Sequence, residues 1–251
     1  MSEWGKYRTI KEIIQSTWLR RQHGNGQSGR RQKEKGKPAT EMNQIEVRGI
    51  MADIDQIKMK ESVSEMNQTE TWRAEVEERI SELPVVQYAW LREGEIPFSE
   101  RVRSICREEC PRYGTSWACP PGVGSVTECR ERCGRFSGAF VFTTIAEVAD
   151  ADNLTETLAT RPAHEAVTRQ IQEVLRPYVG KMLALSAESC AICKNCAYPD
   201  EPCRHPDRMV PCVEGYGIVV PQLAARAGIE FMNGAGIVTW FGIVLYAESG
   251  K

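Results

Sequence analysis

The sequence predicts a single α+β domain with a mixed or antiparallel sheet and flanking helices. Residues 139–145 (AFVFTTI) and 237–246 (IVTWFGIVLY) are short apolar runs, rich in β-branched and aromatic residues, as strands are. Between such runs lie segments whose apolar residues recur at helical spacing. No regular strand–helix–strand period relates the two kinds of segment. A chain of 251 residues usually holds one domain or two.

The first helix of the predicted domain begins near Thr71 and ends at Pro84, which cannot continue a helix. Its apolar stripe consists of Trp72, Val76, Ile80 and Leu83. A strand is predicted over residues 85–91, and a short helix over residues 98–105 leads to Cys106.

Two further helices carry start signals. Ser125 and Glu128 have the spacing of a capping box, which predicts a helix over residues 126–135. Pro162 fits the first turn of another helix, which ends before Gly180. Its apolar stripe consists of Val167, Ile171, Val174 and Tyr178.

The last two strands are predicted from short apolar runs. Residues 182–186 (MLALS) form one strand, which leads into the loop that begins at Cys190. Residues 237–246 form either one strand or a bent pair of strands broken at Gly242.

Residues 1–68 are predicted to be a disordered extension that precedes a cysteine-rich domain over residues 69–251. The segment 24–37 (GNGQSGRRQKEKGK) is basic, glycine-rich and free of large apolar groups, so it cannot bury enough surface to order itself. Apolar residues at helical spacing precede it, at Trp4, Tyr7, Ile10, Ile14 and Trp18. They indicate either a loose segment without a role or a basic amphipathic helix for a membrane surface or a partner. Translation from Met51 or Met66 is a further alternative.

The composition limits the classes of function. A net charge of −2 gives no general argument for nucleic-acid binding. No apolar run has the length of a membrane span, and the N-terminus lacks the apolar core of a signal peptide. We therefore expect a cytoplasmic protein with no membrane or nucleic-acid partner. In that compartment, ten cysteines indicate metal ligands or reduced thiols, of which two or three could be small buried side chains.

The strongest motif is a run of closely spaced cysteines near the C-terminus, here called the second cysteine set: Cys190, Cys193, Cys196 and Cys203. Three cysteines separated by two residues each resemble the ferredoxin run that holds an iron–sulfur cluster. Zinc modules more often use two separated CxxC pairs, so zinc is the alternative metal. Four cysteines already complete a cluster, which leaves His205 and Cys212 out of the predicted ligands.

The first cysteine set lies earlier in the chain and consists of Cys106, Cys110 and Cys119. Proline follows two of its members, as it follows the last cysteine of the ferredoxin run. Cys129 and Cys133 lie four residues apart on one face of the predicted helix 126–135. Either of them could complete a four-sulfur site, or both could be buried residues on the inner face of that helix. The aromatic residues Tyr113 and Trp117 flank this set. They could keep water away from a metal centre, or they could be ordinary core residues.

Taken together, the segments CPRYGTSWACPPGVG, CAICKNCAYPDEPCRHP and EGYGIVV resemble the DUF2284 family of predicted metal-binding proteins. The similarity spans roughly residues 85–246. It implies metal or iron–sulfur binding in an intracellular setting, and the family gives no substrate. The family pattern matches at Cys106, Cys110, Cys119, Cys190, Cys193, Cys196 and Cys203. Cys212 stands where a serine or similar residue is expected.

Three functions are consistent with these observations. The first is an iron–sulfur redox protein with one or two [4Fe–4S] clusters that exchanges electrons with a partner protein. The second is a cluster-dependent reductase of a small molecule, which requires a pocket with acid–base groups. Glu214 is a candidate for such a group, but the pattern favours the alternative, a carboxylate that serves a turn or the start of a helix. The third is a structural zinc protein that acts as an adaptor.

Overall fold

The computed structural model of the chain describes residues 71–151, 153–188 and 190–248. The predicted extension, residues 1–68, lies outside the described residues, so its disorder and the domain boundary after it stay predictions. All ten cysteines of the chain lie in the described part, and all ten are free thiols.

The described residues form one four-stranded sheet with every neighbouring pair antiparallel. Its strands are β1 (Gln87–Arg92), β2 (Gly138–Glu147), β3 (Val179–Ser186) and β4 (Ile237–Glu248). Their order across the sheet is β1-β2-β4-β3. The predicted α+β class is therefore confirmed, and the alternative between a mixed and an antiparallel sheet is decided for antiparallel.

Five α-helices accompany this sheet in the described residues. They are α1 (71–80), α2 (Glu100–Glu109), α3 (Val126–Cys133), α4 (Leu154–Leu175) and α5 (Val220–Ala227). Within the described part of the chain, no helix combines the length and the apolar character that a membrane crossing requires.

Both faces of the sheet are covered, because side chains alternate between the two faces along each strand. Phe140 and Val244 face α1 and α4, where they pack with Val76, Ile80 and Ile171. On the other face, Val141, Ile243 and Leu245 pack against α3 and α5. Burial of each large apolar side chain contributes about 1.5–3 kcal/mol, so the two apolar layers account for much of the stability of the domain.

The capping-box prediction for α3 is confirmed. The side chain of Ser125 accepts a hydrogen bond from the Glu128 amide, and the Glu128 carboxylate accepts one from the Ser125 amide at 2.7 Å. These bonds satisfy two amide donors that the start of a helix otherwise leaves unpaired. The helix ends at Cys133, two residues before the predicted end at 135, and Gly134 is its C-cap.

The predicted start of α4 was wrong. Pro162 does not lie in the first turn but inside the helix, which begins at Leu154. The start is defined by Asn153, whose side-chain oxygen accepts hydrogen bonds from the amides of Thr155 and Glu156. An asparagine cap satisfies free amides directly, whereas proline only lacks a donor, so the cap is the stronger start signal.

β4 is one continuous strand, so the alternative of a pair broken at Gly242 was wrong. Gly242 pairs with Phe142 of β2 across the sheet. A Cβ atom at position 242 would collide with the Phe142 ring. The glycine is therefore explained by the close approach of an aromatic ring, which the one-dimensional pattern of β4 does not reveal.

A polar side chain of α4 is buried against the sheet. His164 is 1% exposed, its Nδ1 atom lies 2.8 Å from the Thr144 hydroxyl, and its ring stacks on Phe142. Burial lowers the pKa of His164 from 6.5 to about 4, partly opposed by a hydrogen bond with the Phe241 backbone. The ring is therefore neutral in the folded protein at neutral pH.

We predict that this histidine makes the protein less stable in acid. Its folded-state pKa is lowered, so its contribution is fully present above about pH 6.5 and is lost as the pH falls towards about 4. Between about pH 7.5 and about pH 5, wild type should lose about 2 kcal/mol more free energy of unfolding than His164→Phe, which keeps the ring stacking. Urea denaturation at the two pH values measures the difference, and equal losses would contradict the prediction.

Candidate metal centres

The second cysteine set comes together around one small cavity. Cys190, Cys193, Cys196 and Cys203 all line it, and the enclosed volume is about 20 Å³. The other lining residues come from the 116–117 segment and from the loop itself: Ser116, Trp117, Ile192, His205 and Met209. The structure therefore gathers all four predicted members of this set, and their binding of metal stays a prediction.

Cys196 lies where several donors converge on its sulfur. Burial raises the pKa of this thiol, but hydrogen bonds from the backbone amides of Tyr198 and Trp117 and from the Ser116 side chain outweigh it. The pKa of Cys196 is thus lowered below its usual value. Hydrogen bonds of this kind favour the thiolate, which is the form that binds metal.

Two other members of the second set also accept backbone hydrogen bonds. Burial raises the pKa of Cys190, while hydrogen bonds from the amides of Ile192 and Val210 oppose the rise. The amide of His205 donates to the Cys203 sulfur at 3.4 Å. Backbone donors around thiolate sulfurs are among the features that tune an iron–sulfur cluster.

Helix α4 anchors the start of this loop through Glu165, which is 1% exposed. One carboxylate oxygen accepts a hydrogen bond from the Ala191 amide at 2.8 Å, and the other pairs with Arg169 at 2.7 Å. Arg169 also donates to the Arg208 carbonyl at 3.4 Å, near the far end of the loop. Sequence reasoning missed Glu165, because its i, i+4 spacing from Arg169 is that of any surface ion pair.

The first cysteine set lines a second and much larger cavity. Cys106, Cys110 and Cys119 share this cavity of about 440 Å³ with a fourth cysteine, Cys212. The thiols of Cys119 and Cys212 are hydrogen-bonded to each other, and the Cys212 amide donates to the Ala118 carbonyl at 2.9 Å. Sequence reasoning left Cys212 out, since 93 residues separate it from Cys119 and no local spacing links them.

The structure does not bring Cys129 or Cys133 to the first set. Both lie on the inner face of α3, are 0% exposed and pack in the apolar layer between α3 and the sheet. Neither lines the cavity of about 440 Å³. Burial raises the pKa of Cys133 to about 12, and the nearby Cys129 makes a smaller contribution in the same direction, so the Cys133 thiol stays protonated. This position agrees with the alternative, that both are buried core residues, and a ligand role for either of them stays a prediction.

Burial favours the protonated form of two thiols of the first set, Cys106 and Cys110. Burial raises the pKa of Cys106 to about 11, with further increases from Cys110 and Glu214. Metal binding would have to displace these protons. Among the described residues, no three Cys, His, Asp or Glu side chains converge closely enough to hold a metal ion as they stand. Loading either set would therefore require rotation of its side chains towards a common point.

Two carboxylates line the larger cavity beside the thiols. Glu214 accepts a hydrogen bond from the Cys212 thiol at 3.1 Å, so the alternative of a simple turn residue does not describe it fully. Glu188, which sequence reasoning missed, has a positive φ of 63°. Burial raises the pKa of Glu188, as does Glu214, while Arg161 and Arg112 lower it.

The glycine after Glu214 lies at a close approach of two chain segments. A Cβ atom on Gly215 would lie 3.0 Å from the Cβ atom of Cys212 and 3.3 Å from Pro120. The Gly215 amide donates to the Cys212 sulfur at 3.3 Å. The EGYG motif of the sequence thus serves the placement of Cys212 against the first set.

The aromatic residues Tyr113 and Trp117 have different positions. Tyr113 lines the larger cavity, whereas Trp117 lines the smaller one and contacts the second loop. The Trp117 indole donates to the Glu201 carbonyl at 2.9 Å and meets the Tyr198 ring edge-on. Trp117 therefore covers the second set, although it lies in the sequence beside the first.

We predict that Cys212→Ser lowers the metal bound at the first set, while Cys133→Ser leaves metal binding unchanged. Cys212 lies against Cys119, whereas Cys133 lies in the core away from the cavity. Elemental analysis of the two purified variants makes the comparison, and Cys133→Ser controls for the loss of a buried thiol. Loss of metal in Cys133→Ser with none in Cys212→Ser would contradict this assignment.

We predict that Glu165→Gln weakens metal binding at the second set, because it removes the negative charge that pairs with Arg169 and that strengthens the hydrogen bond from the Ala191 amide. Mutation of a residue that orients the metal ligands without binding the metal itself typically lowers the metal affinity by about 10–100-fold. The rate of metal transfer to a chelator measures the effect. Glu173→Gln is the matched control, since it breaks an exposed ion pair with Arg176 on the same helix. Equal rates in both variants would show that the anchor has no such role.

Comparison with known proteins agrees with the geometry of two cysteine-lined sites. A family described as "Predicted metal-binding protein (DUF2284)" matches residues 89–246, well over half of the chain. Searches of curated proteins and of solved structures gave no match. The match spans both cysteine sets, Cys212 and the EGYG motif. The chain therefore belongs to the DUF2284 family of predicted metal-binding proteins.

Proposed function

We propose that this protein is an iron–sulfur redox protein that carries two [4Fe–4S] clusters. Cys190, Cys193, Cys196 and Cys203 would hold one cluster. Cys106, Cys110 and Cys119 would hold the other, with Cys212 as the fourth ligand. Each cluster supplies a one-electron redox centre when it is bound, and the protein would exchange electrons with a partner protein in the cytoplasm, where free thiols persist.

The observation that carries this proposal is the short connection between the two cysteine sets. The Trp117 amide donates to Cys196 of the second set, and Cys119 of the first set lies only two residues later. Two residues span at most about 7 Å of chain. Centres bound at the two sets would therefore be neighbours, which suits the transfer of single electrons from one to the other.

The ligand set also supports iron–sulfur binding at the second site. Its three cysteines at CxxC spacing follow the ferredoxin pattern, and all four ligands are sulfur. The amide donors around Cys196, Cys190 and Cys203 would stabilise the negative charge of a thiolate-bound cluster. The residues present therefore fit the chemistry of the proposed group.

One observation favours zinc as the alternative. The space enclosed by the second set is about 20 Å³, close to the volume that a single water molecule requires. A single ion needs less space than a cubane cluster, which would require the loop to open. In this alternative the protein is a structural zinc adaptor that unfolds when a chelator removes the metal.

A further observation favours an enzyme. The first set opens onto a cavity of about 440 Å³ that contains two carboxylates, a guanidinium group and a phenol. This is the pocket with acid–base groups that a cluster-dependent reductase of a small molecule requires. In this alternative the first set is the catalytic site and the second set is the entry point for electrons.

The test is a count of iron, zinc and acid-labile sulfide per chain after anaerobic purification. We expect about eight irons and about eight sulfides in wild type, the content of two cubane clusters. Cys193→Ser should lose about half of the iron and keep the rest, since Cys193 belongs only to the second set. Cys129→Ser is the matched control, because its thiol is buried in the core, and it should retain the full content.

Two results would overturn the proposal. Zinc without sulfide would replace the redox function with the structural one. Unchanged iron in Cys193→Ser would show that the second set does not hold a cluster, even if iron were present elsewhere in the chain.

A further inference from the structure

The larger cavity has space for more than a metal centre. It lies between α2, the segment 218–221 and the sulfurs of Cys106, Cys110, Cys119 and Cys212. Its volume of about 440 Å³ is within the range of about 300–1,000 Å³ that small-molecule sites occupy. The cavity at the second set, of about 20 Å³, is far too small for an organic ligand. The cavity that all four sulfurs of the second set share therefore has no room for an organic ligand, whereas the cavity at the first set has.

One wall of the larger cavity is apolar. It is built from Val102, Ile105, Ile218, Val219, Val220, Pro221 and Phe231. Ile105 is 49% exposed and Phe231 is 45% exposed, so apolar side chains continue from the interior to the solvent. An apolar ligand body would remove this surface from water, at about 25 cal/mol for each Å² buried.

The sulfur end of the cavity is polar and electronegative. Among its lining residues, the carboxylates of Glu188 and Glu214 outnumber the single guanidinium group of Arg112. Arg161 also acts on Glu188 but does not line the cavity. A centre held by four thiolates would add further negative charge, because the four deprotonated sulfurs outweigh the positive charge of a Zn²⁺ ion or of an oxidised cubane core. A positive group on a ligand would therefore be stabilised at this end.

We propose that the cavity beside the first cysteine set binds a small organic amine. Its apolar body would lie on the apolar wall, and its ammonium group would point towards Glu188 and Glu214. The inference rests on the proposed function, since the thiolate-bound centre supplies part of the negative charge. It assigns the first set as the substrate-binding centre and assigns no organic ligand to the second set.

Three probes with the same phenylethyl body test the charge preference: 2-phenylethylamine, 2-phenylethanol and 3-phenylpropionate. Binding to the full chain is measured by anaerobic calorimetry, on samples whose iron, zinc and sulfide contents are known. The amine should bind at least about tenfold more tightly than the alcohol and the carboxylate, since one ion pair in a partly desolvated site supplies such a difference.

Variants test the location. Glu188→Gln and Glu214→Gln should each reduce the preference for the amine to about threefold or less, while binding of the alcohol is unchanged. Glu108→Gln is the matched control, because Glu108 lies exposed on α2 and does not line the cavity. Val102→Trp, which fills the apolar wall, should abolish binding of both the amine and the alcohol.

The outcomes separate this inference from the proposed function. If the metal content is as proposed and the amine binds no better than the alcohol, the inference is wrong and the redox function stands. If the preference persists in both glutamine variants, the amine binds elsewhere and the inference is also wrong. If no metal is held at the first set and the preference is absent, both proposals fail.

Discussion

The segment 116–119 is bonded to both cysteine sets, and the arrangement of the two sites depends on it. Ser116 and Trp117 donate hydrogen bonds to Cys196, while the Ala118 carbonyl accepts one from the Cys212 amide. Cys119, the last residue of this segment, is itself a member of the first set. Because consecutive residues contact different sulfur sets, the backbone geometry of one short segment limits the distance between them.

The sheet and α4 hold the partners of this segment in place. The amide of Ser186, at the end of β3, donates to the Pro211 carbonyl, and the Ser186 carbonyl accepts from the Val213 amide. These bonds fix the chain on both sides of Cys212 to the edge of the sheet. Glu165 of α4 fixes the other loop through the Ala191 amide. A rigid sheet with a buried helix therefore positions two loops that have little regular structure themselves.

Much of the fold could be predicted because its signals are local. The Ser125–Glu128 capping box lies within one helical turn, and the strand runs are apolar and β-rich over their whole length. The errors arose where a signal came from elsewhere in the chain. Gly242 suggests a break in the strand only as long as its contact with the Phe142 ring is unknown. Pro162 suggests the start of a helix, but the cap that starts this helix is Asn153.

The sequence by itself determined the second cysteine set, because its four members lie within one loop whose short spacings force their sulfurs together. Only the tertiary structure showed which residues lie beside the first set. Helical periodicity placed Cys129 and Cys133 on one face of α3, but packing against the sheet turned that face into the core. The same packing brought Cys212 to Cys119 and Glu188 to the cavity. Contacts between distant residues depend on how the layers pack, and the spacing of residues along the chain does not show that packing.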